Sequence, residues 1–216
     1  EEDDENLTPG TISGKTSINI INDAFDLNEI TNLPIFYDLR DYGLVTPVKN
    51  QAGSGSCWAF ASMAALESFI LKTENITLDL SENNLKNIMG YYSENGTDYG
   101  PNDGGNEVLI LAYLLRWSGA VNETDDPYND SSIRSPYGLD VVRYVQDVLF
   151  VPKRTGPTDN DQIKWALMNY GALYTGIYWD SSYEKGEAYY YYGTYPYGNH
   201  AITIVGWDDT YSANNF

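Results

Sequence analysis

From Trp58 to Leu71 the apolar residues recur at helical spacing, with Phe60, Ala64 and Leu71 on one line and Met63, Leu66 and Ile70 beside it. No glycine or proline interrupts the run before Lys72, so the pattern predicts a helix opening at about Ser56. A second helix is expected from Ser81, a good N-cap whose following Glu82 complements the helix dipole. A third, Glu107 to Trp117, follows the glycine-rich turn Tyr99 to Asn106. A fourth is a short amphipathic stretch, Asp161 to Tyr170, which Thr158 or Asp159 can cap. Alternation of Val and Tyr with polar residues reads Asp140 to Phe150 as a strand, and Ala172 to Tyr178 and Ala201 to Gly206 read as two more. Pro47 marks an irregular or edge segment, with Val45 and Val48 expected to face the core. Residues 1–34 are polar and acidic with short apolar pieces at Ile18 to Ile21 and Phe25 to Leu27, and read as a pro-segment remnant or linker. No internal repeat or low-complexity array is present in the sequence.

Composition narrows the classes. The 216 residues are 42% hydrophobic, enough for a sizeable core in one domain or two small halves sharing a cleft. Thirty-one acidic residues against 12 basic ones give a net charge of −19, which makes nucleic acid and anionic membranes poor partners. No apolar run of about 20 residues is available to span a membrane. The 20 tyrosines concentrate in Tyr189 to Tyr192, Tyr195 and Tyr197, read as an aromatic strand and loop packed over the core rather than as a sugar or peptide platform. Five Asn-x-Ser/Thr sequons, beginning at Asn6, Asn75, Asn95, Asn122 and Asn129, lean toward an extracellular protein. One cysteine and one histidine cannot build a usual zinc site, and no cofactor site is recognisable.

That single cysteine stands in Gln51-Ala52-Gly53-Ser54-Gly55-Ser56-Cys57-Trp58-Ala59-Phe60, where a glycine- and serine-rich loop meets the first helix. In the first helical turn the positive end of the dipole favours a thiolate, the form that acts as nucleophile. The stretch resembles the active-site segment of papain-like cysteine proteases, in which a glutamine stands six residues before a Cys-Trp-Ala-Phe helix start. Ser54 replaces the cysteine that the family pattern usually carries there. The resemblance continues upstream through Pro34-Ile35-Phe36-Tyr37-Asp38-Leu39-Arg40 and Val45-Thr46-Pro47-Val48-Lys49, and downstream through Leu80-Ser81-Glu82. Tyr99-Gly100-Pro101-Asn102-Asp103-Gly104-Gly105-Asn106 resembles the family's Cys-Asn-Gly-Gly segment, with Pro101 where the cysteine would stand, which implies that Gly105, with Gly104 beside it, presents its backbone to an extended substrate.

The only histidine, His200, lies 143 residues after Cys57 in Gly198-Asn199-His200-Ala201-Ile202, within the family spacing of roughly 130–150 residues. The resemblance implies that Cys57 attacks a scissile carbonyl, that His200 is the acid and base, and that Gln51 and the Cys57 backbone N–H hold the oxyanion. The family's Asn-Ser-Trp-Gly motif, whose asparagine orients the histidine, is absent. Asn214 and Asn215 stand near the expected distance, and the expectation is a truncated chain whose orienting residue lies beyond Phe216. The implied fold is α+β and two-lobed, with a helical left lobe and a β-barrel-like right lobe flanking the active-site cleft. The protease domain is assigned to 35–216, with the helical lobe about 44–120 and the strand lobe about 121–216 plus the 35–43 strand. Tyr37 to Asp41, Trp117 to Val121 with Asp125 to Tyr128, and Gly206 to Asp209 look closer to microbial surface proteases of this family, which often carry a lectin-like domain, than to lysosomal cathepsins. The expected partner is a polypeptide substrate, with further C-terminal domains in the full-length protein, at the cell surface or outside the cell. The rival expectation is a catalytically weak or inactive papain-like module used for adhesion. Another Cys/His acyl-transfer enzyme is a poorer fit to Gln51 to Phe60.

Overall fold

The computed structural model describes residues 32–211 except Glu187 and Pro196, so the expectations for the first 31 residues, Asn214 and Asn215 lie outside the described residues. In chain order the elements are β1 (Phe36–Asp38), α1 (Cys57–Glu74), α2 (Glu82–Met89), α3 (Glu107–Leu115), α4 (Asp161–Tyr170), β2 (Leu173–Ile177), a 3₁₀ turn (Ser181–Tyr183), β3 (Glu184–Lys185), β4 (Ala188–Tyr189), β5 (His200–Ile204) and β6 (Gly206–Asp208). Among the described residues the strands form three antiparallel pairs, β1 with β6, β2 with β5 and β3 with β4.

Helix α1 is the hinge of the architecture. On one side Trp58, Ala59 and Met63 pack with Leu80, Leu85 and Met89 of the α2 region and with Leu109, Ile110 and Tyr113 of α3. On another, α1 lies against β5, where the Thr203 hydroxyl donates to the Ala61 carbonyl at 3.0 Å. A second cluster joins Tyr37 and Leu39 to Leu167 and Ala172, with Val45, Ile204 and Trp207 packed against it. Ser68 of α1 bridges the two halves, donating to the Leu44 carbonyl at 2.6 Å and accepting from the Ala172 N–H at 2.9 Å. The result is an α+β fold with a helical half and a strand half on opposite sides of one long helix.

The helix predictions hold with local corrections. Ser81 caps α2, its hydroxyl accepting from the Asn84 N–H at 2.9 Å. Asn160, not Thr158 or Asp159, occupies the cap position of α4, because the Asp159 carboxylate is taken by the Thr155 N–H and hydroxyl. Helix α3 stops at Leu115, two residues short of Trp117, which takes a left-handed φ of 63°.

The strand expected at Asp140 to Phe150 does not form. This segment makes only two backbone bonds to Ala120, from the Val142 N–H at 2.8 Å and to the Arg143 carbonyl at 3.1 Å. Val142 and Val145, three positions apart, both pack against the helical core, which a regular strand with its period of two would not allow.

Val48 is fully exposed rather than core-facing. Its neighbour Lys49 turns inward to Glu67 and Glu82, and in extended backbone that sends Val48 outward.

Candidate active site

Cys57 is the first residue of α1. The Ser56 carbonyl takes the N–H groups of Ala59 and Phe60, so the intrahelical bonds start beyond Cys57 and its own N–H belongs to the open helix end. Ser56 fills the cap position, but its hydroxyl is turned to the Tyr128 hydroxyl at 2.7 Å instead of capping the helix. The loop before it is held tightly. Gly55 donates to the Asn102 carbonyl at 2.9 Å, and a Cβ on Gly55 would stand 2.7 Å from that oxygen. Ala52 adopts φ 49°, with its N–H bound to the Asn50 side chain at 2.8 Å.

Gln51, Cys57 and His200 line one cavity of about 460 Å³ between the 45–51 segment, α1 and β5. Phe60, Ile202 and Thr203 share its wall. All three site residues are half-buried, so each is protected yet reachable. The Gln51 amide donates to the Ser54 carbonyl at 2.8 Å, which uses one of its two N–H donors and fixes the side chain.

His200 opens β5 and pairs with Ile177 at the end of β2. Burial holds its imidazole below the ordinary histidine value, because a charged ring loses solvation there. Its ring lies beside Trp179, with centroids 6.0 Å apart. Asn199 locks that neighbour: its amide accepts from the Trp179 N–H at 2.6 Å and donates to the Trp179 carbonyl at 2.9 Å. Tyr174, across the β2–β5 pair, packs near Cys57, and its hydroxyl is pushed up to about 12 by burial, by Glu107 and by Cys57.

The two glycines act one layer away. Gly104 has φ 111°, a conformation that glycine adopts readily. A Cβ on Gly105 would stand 2.3 Å from the Trp58 ring, so that ring needs the glycine face. Neither is part of the cavity wall that joins Gln51, Cys57 and His200. They reach the site through Trp58, the neighbour of Cys57, and through Asn102, whose amide oxygen accepts from the Ser54 hydroxyl at 3.0 Å.

Two groups at the site carry no sequence signal of their role. The Tyr128 hydroxyl donates to the Gln51 carbonyl at 2.7 Å and meets the Ser56 hydroxyl, while its ring stands edge-on to Phe60 with centroids 4.7 Å apart. It ties the glutamine to the residue before the cysteine. Lys49, two residues before Gln51, sends its ammonium between Glu67 and Glu82 at 3.0 and 2.9 Å and to Asp79 at 2.7 Å. Burial opposes that ammonium, but Glu82 and Glu67 outweigh it and hold its pKa above the ordinary lysine value. Burial in turn pushes Glu82 up to about 7 despite Lys49.

A sequence model of papain family cysteine proteases matches residues 33–216. Cysteine proteinase 15A of Pisum sativum is 33% identical over 183 residues, covering 82% of this chain and 48% of that protein. The crystal structure of the cysteine protease and lectin-like domains of Cwp84, a surface layer associated protein of Clostridium difficile, aligns with a TM-score of 0.72 at 33% identity, over 85% of this chain and 41% of that one. The bromelain protease from Ananas comosus aligns with a TM-score of 0.67 at 25% identity, over 84% of this chain and 79% of that one. The chain spans about half the length of the curated relatives that it matches over most of its own length.

Proposed function

Because the chain belongs to the papain family of cysteine proteases, we propose that it is a cysteine endopeptidase in which Cys57 is the nucleophile and His200 the acid and base. The observation that carries this reading is the convergence of Cys57, at the helix start, and His200, at the strand start, on one cavity with Gln51.

In the first step the Cys57 thiol passes its proton to His200, its Sγ bonds to the scissile carbonyl carbon, and the carbonyl electron pair moves to oxygen. The Cys57 N–H and the free N–H of the Gln51 amide receive that oxyanion. As the carbonyl re-forms, the C–N bond breaks and protonated His200 gives its proton to the leaving nitrogen. Water then loses a proton to His200 and adds to the acyl carbon. The S–C bond breaks, which releases the carboxylic acid and restores the sulfur and the protonated imidazole. Gly104 and Gly105 are assigned to an extended substrate backbone, a role supported by the resemblance of their segment. The surface-layer description of Cwp84 and the five sequons support a place outside the cell or on its surface.

Peptide hydrolysis by the full chain tests the reading. Cys57→Ala and His200→Ala should each lower kcat by roughly 10⁴-fold or more. Gln51→Ala should lower it by roughly 10²–10³-fold while iodoacetamide still labels Cys57 at the wild-type rate, because alkylation develops no oxyanion. Equal loss in both assays would make Gln51 structural. The rival reading, an adhesion module, draws support from the exposed aromatic surface beside His200. It predicts no hydrolysis of any peptide and no effect of Cys57→Ala on ligand binding.

A further inference from the structure

We infer that the aromatic surface running outward from His200 docks the leaving-group segment of the substrate and favours segments that carry lysine or arginine; this rests on the peptidase reading above. The rings form an unbroken series of contacts. His200 meets Trp179, and Trp179 stacks on Tyr189 with centroids 4.5 Å apart. Tyr189 meets Tyr183, which touches Tyr191 at 5.0 Å and Tyr192 at 4.9 Å. Tyr191 leads through Tyr178 to Tyr195, and Tyr195 meets Tyr197 at 5.7 Å.

The sequence pattern places these rings over the core, but the outer ones face solvent: Tyr192, Tyr195 and Tyr197 are 67%, 56% and 69% exposed. The inner ones are anchored through their polar groups. The Tyr189 hydroxyl donates to the Tyr178 carbonyl at 2.5 Å, and the Tyr191 hydroxyl accepts from the Tyr195 N–H at 2.8 Å. A contiguous, anchored aromatic surface exposed to water marks an interaction site.

Its position identifies the occupant. His200 delivers a proton to the leaving nitrogen, so the chain on the far side of that nitrogen meets Trp179 first. Its charge identifies the preference. From Tyr178 to His200 the sequence has Asp180, Glu184 and Glu187 against Lys185 alone, in a chain of net charge −19. Ring faces attract cations, and the surrounding field concentrates them.

The test uses quenched fluorescent peptides identical on the acyl side and basic, neutral or acidic on the leaving-group side. In the wild-type chain at low salt the basic peptide should exceed the acidic one in kcat/KM by about tenfold. The ratio should fall to about two when Tyr192, Tyr195 and Tyr197 are all changed to serine. Taking the ratio within each variant removes any general loss of activity. A wild-type ratio near one, or a ratio unchanged in the triple variant, overturns the inference. Anisotropy of a labelled Lys/Arg peptide on Cys57→Ala provides a second readout that needs no turnover. Binding that the triple variant loses, with no hydrolysis by the wild type, would leave the surface standing and sink the peptidase reading. An unbound basic peptide alongside active hydrolysis would do the reverse.

Discussion

The two halves of the molecule invert the usual placement of side chains. The helical half buries polar groups. Glu67, Glu82, Lys86, Asn83, Asn84 and Asp126 are almost wholly inaccessible. The strand half turns aromatic rings outward at Tyr192, Tyr195 and Tyr197. Buried polar groups are tolerable when paired, and most of these are, although Glu82 Oε2 has no hydrogen-bond partner among the described residues. Asp126 accepts from Asn83 at 2.7 Å and Asn84 at 3.0 Å, and Lys86 donates to Asn102 at 2.9 Å and to the Ser132 carbonyl at 2.5 Å. Such bonds are directional, so they fix where the loops on either side of Cys57 lie. Exposed rings have broad, permissive contacts instead. One half fixes its geometry through directional bonds, while the other presents rings to solvent.

The comparison breaks most visibly at Lys49. Lys49→Met leaves Glu67 and Glu82 buried without their cation, and denaturant unfolding should show a loss of about 3 kcal/mol or more. A loss below 1 kcal/mol would mean that the polar interior contributes little to the fold. Next in size is Tyr128→Phe, which removes the hydroxyl joining Gln51 to Ser56. It should lower kcat about tenfold with KM kept, and cost about 1 kcal/mol of stability. A rise in KM at constant kcat would mean that Tyr128 serves substrate binding instead.

Glu82→Gln gives a smaller change, visible only against pH. Its folded pKa, about 7, lies above the ordinary 4.5, so the folded state holds the extra proton between those values. That contribution is fully present below the unfolded value and is lost as pH rises through about 7. The variant should therefore flatten the decline in unfolding midpoint over that window, and parallel wild-type and variant profiles would discount Glu82. The smallest effect is expected at the exposed rim, where Tyr197→Ser should shift stability by no more than about 0.5 kcal/mol. A larger loss would place that ring in the core after all.

Much of the site was legible because its signals are local. The apolar spacing of Phe60, Met63, Leu66 and Ile70 marks α1, Ser81 marks the start of α2, and the surroundings of Cys57 and His200 carry their own context. What escaped depends on contacts between distant segments. Nothing near Tyr128 announces a bond to Gln51, 77 positions earlier. The turn of Val48 to solvent follows from Glu67 and Glu82, which its own neighbourhood does not contain. Asp140 to Phe150 has the alternation of a strand, yet a strand also needs a partner, and partners are set by topology. The tyrosine run was recognisable as a cluster, but composition does not say which way rings face.

The bond from Thr203 to Ala61 spans 142 positions of sequence and joins the helix of the cysteine to the strand of the histidine. Synthesis runs from the amino end, so the ribosome delivers α1 well over a hundred residues before β5. Until β5 is made and docks, Cys57 and His200 cannot line one cavity. A contact of such high order forms late, after the local helices. If the chain is the peptidase proposed above, hydrolysis waits for that late contact, when the local helices have already formed.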